Sequence, residues 1–319
     1  MERPHMQIER AIPIDKEQLE REQEAREGRW LPLGPVPRLA ETAIHRLAGM
    51  EAFPQPPVIP VHYPVVMMHG FGMMASFRRG GHLHDEAMNL RARGVRAYAP
   101  NVAPYCTVAV RAPMWKERIE QVLKETGADK VNLIAHSMGG LDARYLIAND
   151  GMHEVVACLT TISTPHHGSS IADFVLEQPE RLRAWAADLV NWIATSAMTG
   201  STSDVLQALA ELTPKHLRET FNPAVPDHPD VEYWSYAGAA GKDTDAPINP
   251  FLRLYNYVLC TREGINDGFV SVESARWGQF VRALDADHAQ QVGLQLPGAG
   301  FDSNAFYCDV ALRLAEAGF

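Results

Sequence analysis

Short apolar runs alternate with amphipathic stretches from residue 63 onward. Tyr63 to Met68, Val95 to Tyr98, Val131 to Ile134 and Val155 to Ile162 read as strands. Val231 to Tyr236, Phe269 to Val272 and Phe280 to Leu284 read as further strands. Runs with little polar alternation suit strands covered on both faces. Between them lie helical spacings. Pro113 to Glu125 carries Trp115, Ile119, Val122 and Leu123 as one stripe, with Pro113 placed in the first turn and Gly127 past the end. A last helix follows Asp302 or Ser303, either a good cap, and turns Phe306, Val310 and Leu314 inward. Strand and helix in alternation predict an α/β fold, with a mostly parallel central sheet and helices on both faces.

The two ends of this pattern differ. Residues 1–60 hold a polar Glu-, Arg- and Gln-rich stretch from Asp15 to Arg29, then prolines at 35, 37, 54, 56, 57 and 60. This reads as an extension packed on or flanking a body at 61–319. Within the body, about 170–222 reads as a helical insertion. Glu180 to Met198 puts Leu182, Trp185, Leu189, Trp192 and Ile193 on one side. Periodicity fits a core-facing helix. Trp185, Leu189, Trp192 and Ile193 also suit a mobile cover over an apolar pocket.

Composition narrows the partners. The 319 residues carry 39 acidic and 29 basic side chains, a formal net charge of −10. That argues against a nucleic-acid partner, which would need a basic face, and disfavours electrostatic docking on anionic lipid. Hydrophobic residues at 46% and charged residues at 21% fit a globule with a sizeable core. Cys106, Cys158, Cys260 and Cys308 are far apart, which argues against a zinc site and a dense disulfide framework. No apolar run reaches membrane-spanning length. The N-terminus does not resemble a secretory signal, so a cytoplasmic location is expected. Oligomeric state is not legible.

The candidate chemistry centres on Ala135-His136-Ser137-Met138-Gly139-Gly140, which joins the Val131 strand to a helical pattern at Leu141 to Ile147. A serine at such a strand-to-helix turn is lifted clear of the sheet, beside a helix N-terminus. A serine hydroxyl needs a base, and the base needs an acid to fix its ring. In this architecture both lie downstream, acid first. Of the later histidines, His153 ends the next helix and should point away. His166 and His167 suit scaffold groups satisfied by backbone, and His216 and His228 fall in the insertion and its exit. His288, between the Phe280 strand and the final helix, has the favoured position. Asp243, Asp245, Asp267, Asp285 and Asp287 all compete for the acid; Asn266-Asp267-Gly268 also reads simply as a turn.

Several segments in order resemble the Pseudomonas and Burkholderia triacylglycerol lipases, the bacterial true lipases of the α/β-hydrolase superfamily. They are Tyr63 to Gly70, Lys130 to Tyr145, Thr160 to Ser169 with Ala172 to Val175, Asn266 to Ser271, and Trp277-Gly278-Gln279. The resemblance implies an α/β-hydrolase fold and a serine carboxylic-ester hydrolase, a lipase or esterase. It places nucleophile, acid and base at Ser137, Asp267 and His288, and the oxyanion donors at the amides of Phe71 and Met138. It supports a lid in the insertion. Its substrate would be an ester or lipid, met in some members at a lipid–water interface.

Departures accompany the likeness. Ala135 stands where the motif usually has glycine, as in a Bacillus branch of lipases. The chemistry implies no cofactor. The family's structural calcium uses a carboxylate where this chain has Gln290, and another that falls near Asp245 or Asn249. A hard cation needs several anionic oxygens, so this site is weakened. The rival readings are an acyltransferase on the same triad, a non-catalytic lipid binder, and a metal-dependent hydrolase. The last would use the cluster His82-Leu83-His84-Asp85-Glu86, otherwise expected as a solvated loop near the pocket rim.

Overall fold

Among the described residues, every strand of the sheet runs the same way. The computed structural model describes residues 38–49, 55–72, 81–178, 202–294 and 300–319. The chain divides into two units, Met1–Gln55 and Pro56–Phe319. In the first, the described residues form one helix, α1 (Arg38–Leu47), with His45 and Arg46 in its last turn.

The second unit is built on a six-stranded parallel sheet. Its elements are β1 (Val65–Met68), α2 (His84–Ala92), β2 (Ala97–Tyr98), α3 (Val108–Thr126), β3 (Val131–His136), α4 (Gly139–Asn149), β4 (Val156–Ile162) and α5 (Ser170–Leu176). Then come α6 (Thr202–Ala210), β5 (Glu232–Gly238), α7 (Arg253–Glu263), β6 (Gln279–Leu284) and α8 (Ser303–Glu316). The spatial order is β2-β1-β3-β4-β5-β6. The chain therefore leaves β1 toward one edge and returns to its other side as β3. That reversal falls at the carboxyl ends of β1 and β3, the place where ligands bind in open parallel sheets.

Alternate side chains of the strands feed two cores. Val66, Met68, Val131, Leu133 and Ala135 pack with Trp115, Ile119 and Val122 of α3 and Leu146 and Ile147 of α4. Val65, Met67, Ile134, Cys158 and Ile162 pack on the other face with Leu90 of α2 and Phe306, Val310 and Leu314 of α8. β3 and β4 are buried throughout, which is why they read as mostly apolar runs, Asn132, His136, Thr160 and Thr161 being buried polar exceptions. The Asp302 carboxylate caps α8 by accepting from the Ala305 amide at 3.0 Å.

Three local expectations are corrected. α3 begins at Val108, so Pro113 lies inside the helix, beyond its first turn. The helix tolerates it because packing of the Trp115 stripe outweighs one lost backbone bond. Residues 269–272 form no strand: a single antiparallel bridge joins Asn266 to Ser271, and Val272–Ala275 is a short helical turn capped by Ser271. His82 to Glu86 is not a solvated loop. His82 and Glu86 are buried, and Glu86 accepts from Ser303 Oγ of α8 at 2.9 Å. Among the described residues, no group of three or more His, Cys, Asp or Glu side chains is placed to hold a metal ion.

Candidate active site

The nucleophile position is set by backbone strain and close approach. Residues 131–136 and 138–140 are buried, and Ser137 between them is partly exposed. Its φ of 56° is left-handed, a conformation that costs a non-glycine residue about 1–2 kcal/mol. The surroundings hold it there: the Ser137 amide donates to Ile162 O at 2.9 Å, and its carbonyl accepts from Thr164 Oγ1 at 2.7 Å. The turn is tight against β1. A Cβ on Gly139 would meet the carbonyl oxygens of Met68 and His69 at 2.8 Å, and one on Gly70 would meet Ser137 Cβ at 2.6 Å. Ala135, by contrast, is accommodated in the core, so the missing motif glycine does not disturb the turn.

Asp267 and His288 are joined. His288 Nδ1 lies 2.7 Å from Asp267 Oδ2, and the His288 amide donates to Asp267 O at 3.0 Å. Gln291 Nε2 donates to the same Oδ2 at 3.0 Å; the Phe269 and Val270 amides donate to Oδ1 at 3.0 and 2.8 Å. Burial opposes ionisation of Asp267, but the His288 ring and these donors outweigh it, and its carboxyl sits below the usual range. Asn266-Asp267-Gly268 is thus both a turn and the seat of a buried carboxylate. The competitors are elsewhere: Asp243 pairs with Lys242 at the surface, Asp245 and Asp285 are exposed, and Asp287 faces Asn249.

The His288 ring lies against His136, the residue before Ser137, with centroids 4.5 Å apart, and against the edge of Phe269 at 5.3 Å. Burial, with His288 alongside, holds His136 well below the ordinary histidine range, so this neighbour stays neutral. Among the described residues no hydrogen bond joins Ser137 Oγ to His288. Such contacts commonly close only when substrate binds.

A third assembly fixes the loop after β1. Arg111 of α3, fully buried, donates to His69 O at 2.7 Å, Gly70 O at 3.1 Å and Ala103 O at 3.0 Å. Its charge is matched by Asp142 of α4, 2.8 Å away, which Trp115 Nε1 also reaches at 3.1 Å. His69 Nε2 accepts from the Val102 amide at 3.1 Å, which assigns the proton to Nδ1 and makes it a donor to Gly70 O at 2.9 Å. Two donors therefore hold the Gly70 carbonyl. In a trans peptide the next N–H points the opposite way, so this grip aims the Phe71 amide. The Met138 amide lies at the entrance to α4, with the helix N-terminus behind it.

The model of the α/β-hydrolase fold family matches residues 63–210, from β1 to α6. This chain has the α/β-hydrolase fold. It is 32% identical to triacylglycerol lipase 2 of Saccharomyces cerevisiae over 206 residues, 62% of this chain and 58% of that protein. It is 28% identical to the triacylglycerol lipase of Pseudomonas fragi over 291 residues, 80% of this chain and 97% of that one. The match therefore spans nearly all of the second relative and less than two thirds of the first. The mature form of a Bacillus licheniformis lipase shares its fold, with a TM-score of 0.60 at 20% identity over 81% of this chain and 96% of that one.

Around this site, apolar groups cluster over the loop after β1. Phe71 packs with Tyr105 and with Val205 of α6. Met138 and Leu141 pack with Ala208, Leu217 and Phe221. Trp185, Leu189, Trp192 and Ile193 lie outside the described residues. The calcium positions do not fit a cation. Gln290 Oε1 accepts from the Asp287 amide at 2.8 Å, Asn249 Oδ1 accepts from the Phe251 amide at 3.1 Å, and Asp245 is exposed.

His166 is a scaffold group held by side chains rather than by backbone. Its ring contacts Thr161 Oγ1 at 3.1 Å and Arg144 Nη1 at 3.3 Å, and stacks on Trp277. His153 stacks on His228 at 3.9 Å. Sequence reasoning missed Arg111. The signal is its place on the Trp115–Ile119 stripe, which shows only once the helix begins at Val108, before Pro113.

Proposed function

We infer that this α/β-hydrolase is a serine carboxylic-ester hydrolase, a lipase or esterase, working through an acyl-enzyme. The observation that carries the reading is the buried Asp267–His288 hydrogen bond of 2.7 Å, its ring 4.5 Å from that of His136, beside a strained, partly exposed Ser137. Ser137 Oγ bonds to the ester carbonyl carbon while its proton passes to His288 Nε2. The carbonyl oxygen becomes an anion held by the amides of Phe71 and Met138. As the intermediate collapses, the carbon–oxygen bond to the alcohol breaks, and His288 Nε2 returns the proton to the leaving oxygen. Water then repeats the sequence on the acyl-enzyme. Asp267, bonded to Nδ1, fixes the tautomer that leaves Nε2 free to accept, and stabilises the imidazolium once formed.

The acyl group of the substrate lies along the apolar wall of Phe71, Tyr105 and Val205, so esters with an aliphatic acyl chain are favoured over charged ones. The two triacylglycerol lipases among its relatives agree with a lipid ester. The test is a chain-length series of nitrophenyl esters and emulsified triglycerides. Turnover of acyl esters is expected, with Ser137→Ala lowering kcat by about 10⁴–10⁶-fold. Near-normal turnover by Ser137→Ala contradicts the mechanism.

A further inference from the structure

Next to His288 lies a buried carboxylate that the ester chemistry does not use. Asp287 is fully buried, and among the described residues no lysine or arginine forms a salt bridge with it. It gathers backbone amides instead. Oδ1 accepts from Ala289 N at 3.0 Å and Gln290 N at 2.9 Å; Oδ2 accepts from Asn249 N at 2.8 Å. Gln290 closes the loop from the other direction, its Oε1 accepting from Asp287 N at 2.8 Å. Ala289 packs against Leu252, in the turn that Asn249 caps. The short segment carrying His288 is thereby tied to residues 249–252 on one side and to Asp267 on the other.

Charge-assisted bonds of a carboxylate to amides are stronger than neutral ones, and three of them converge here. These amides take three of the roughly four acceptor positions of the carboxylate, and hard cations take six or more oxygen ligands.

We propose that Asp287 and Gln290 form a metal-free clamp that fixes the backbone under His288, making Asp287 a positioning residue and turnover independent of calcium. The proposal rests on His288 being the base of the ester chemistry. Releasing the clamp leaves the imidazole attached to Asp267 but lets its backbone drift. A misplacement of about an ångström costs on the order of 10²-fold in rate while leaving substrate binding largely intact.

The test uses the full chain as wild type, Asp287→Ala and Asp287→Asn. Active sites are counted with a serine-directed phosphonate, so that misfolded molecules drop out of the rate. Each protein is assayed on a nitrophenyl ester at a temperature well below its melting midpoint, untreated, with EDTA, and with added calcium chloride. Asp287→Ala is expected to lose about 10- to 100-fold in kcat per titrated site with KM little changed. Asp287→Asn, which keeps one acceptor oxygen, regains part of that loss. Wild type keeps its kcat and its melting midpoint under EDTA and under calcium. Full kcat per titrated site in Asp287→Ala overturns the positioning role. Wild-type activity lost to EDTA and restored by calcium overturns the metal-free clamp. If Asp287→Ala does not fold, the Asp287→Asn and chelation results still decide. Wild type that neither labels nor turns over ester would sink the hydrolase reading itself. Wild type that does both, with kcat unchanged in the variants, sinks this inference alone.

Discussion

The two halves of the candidate site are held by opposite chemistry. On the nucleophile side a buried cation gathers carbonyls: Arg111 grips His69, Gly70 and Ala103, with Asp142 behind it. On the acid–base side two buried carboxylates gather amides: Asp267 takes those of Phe269 and Val270, and Asp287 takes those of Asn249, Ala289 and Gln290. Both arrangements orient backbone, but they fail differently. Removing Arg111 strands a buried carboxylate. Replacing Asp267 by asparagine keeps the shape and changes what one oxygen presents to the His288 ring and to Gln291 Nε2.

The largest effect is expected at Asp267. Asp267→Asn turns an acceptor into an amide that favours the wrong imidazole tautomer, and kcat should fall by about 10⁴-fold with a modest change in melting midpoint. Steady-state ester kinetics beside thermal melting checks both. A variant that unfolds as readily as it loses activity would erase the contrast between the two halves.

Arg111→Met should be costly in both respects. The Phe71 amide loses its aim, worth about 10²–10³-fold in kcat as for a lost oxyanion donor. Stability falls by about 3–5 kcal/mol because Asp142 is left buried and unpaired. The double variant Arg111→Met/Asp142→Leu should recover much of the stability and little of the kcat. Denaturant melts and kinetics on both proteins separate the two. Recovery of both would mean that Arg111 serves the fold alone.

A smaller effect is expected from pH. Burial, with Arg111 nearby, holds His69 well below the ordinary range, and the same causes push His82 down to about 4. Burial first, then Arg144, does the same to His166. The unfolded chain takes up protons at these rings below about pH 6.5, while the folded protein resists until lower pH. Stability therefore declines as pH falls from 6.5 toward 4. Asp267 adds a loss at more acid pH, because its folded carboxyl sits below the unfolded value and its contribution is lost as that carboxyl protonates. A melting midpoint that rises on going from pH 7 to pH 5 would contradict the neutral buried histidines.

The same asymmetry explains how much was legible in the sequence. The nucleophile half is local: a buried strand, Ser137 and a helix follow one another within a few residues, so pattern alone predicts the turn. Chain order singles out His288, since it follows the last strand. The acid half is not local. Asp267 and His288 meet across 21 positions, and Asp267 differs from Asp243, Asp245 and Asp285 only in being buried. Arg111 was hidden because a proline is a weak marker of where a helix starts once packing overrides it. The His82 cluster misled because its polar letters suggest solvent, whereas Glu86 meets Ser303 from the far end of the chain. His166 and His167 read alike, yet His166 is buried and bonded to Thr161 while His167 is exposed.

Everything turns on whether His288, held by Asp267, activates Ser137. The direct measurement is the rate and location of labelling by a fluorophosphonate, read by intact-mass and peptide mapping in wild type and His288→Ala. One adduct per chain on Ser137 is expected in the wild type, formed at least about 10³-fold more slowly without the imidazole. An adduct on another serine, or one formed on Ser137 at the same rate in both proteins, would contradict the account.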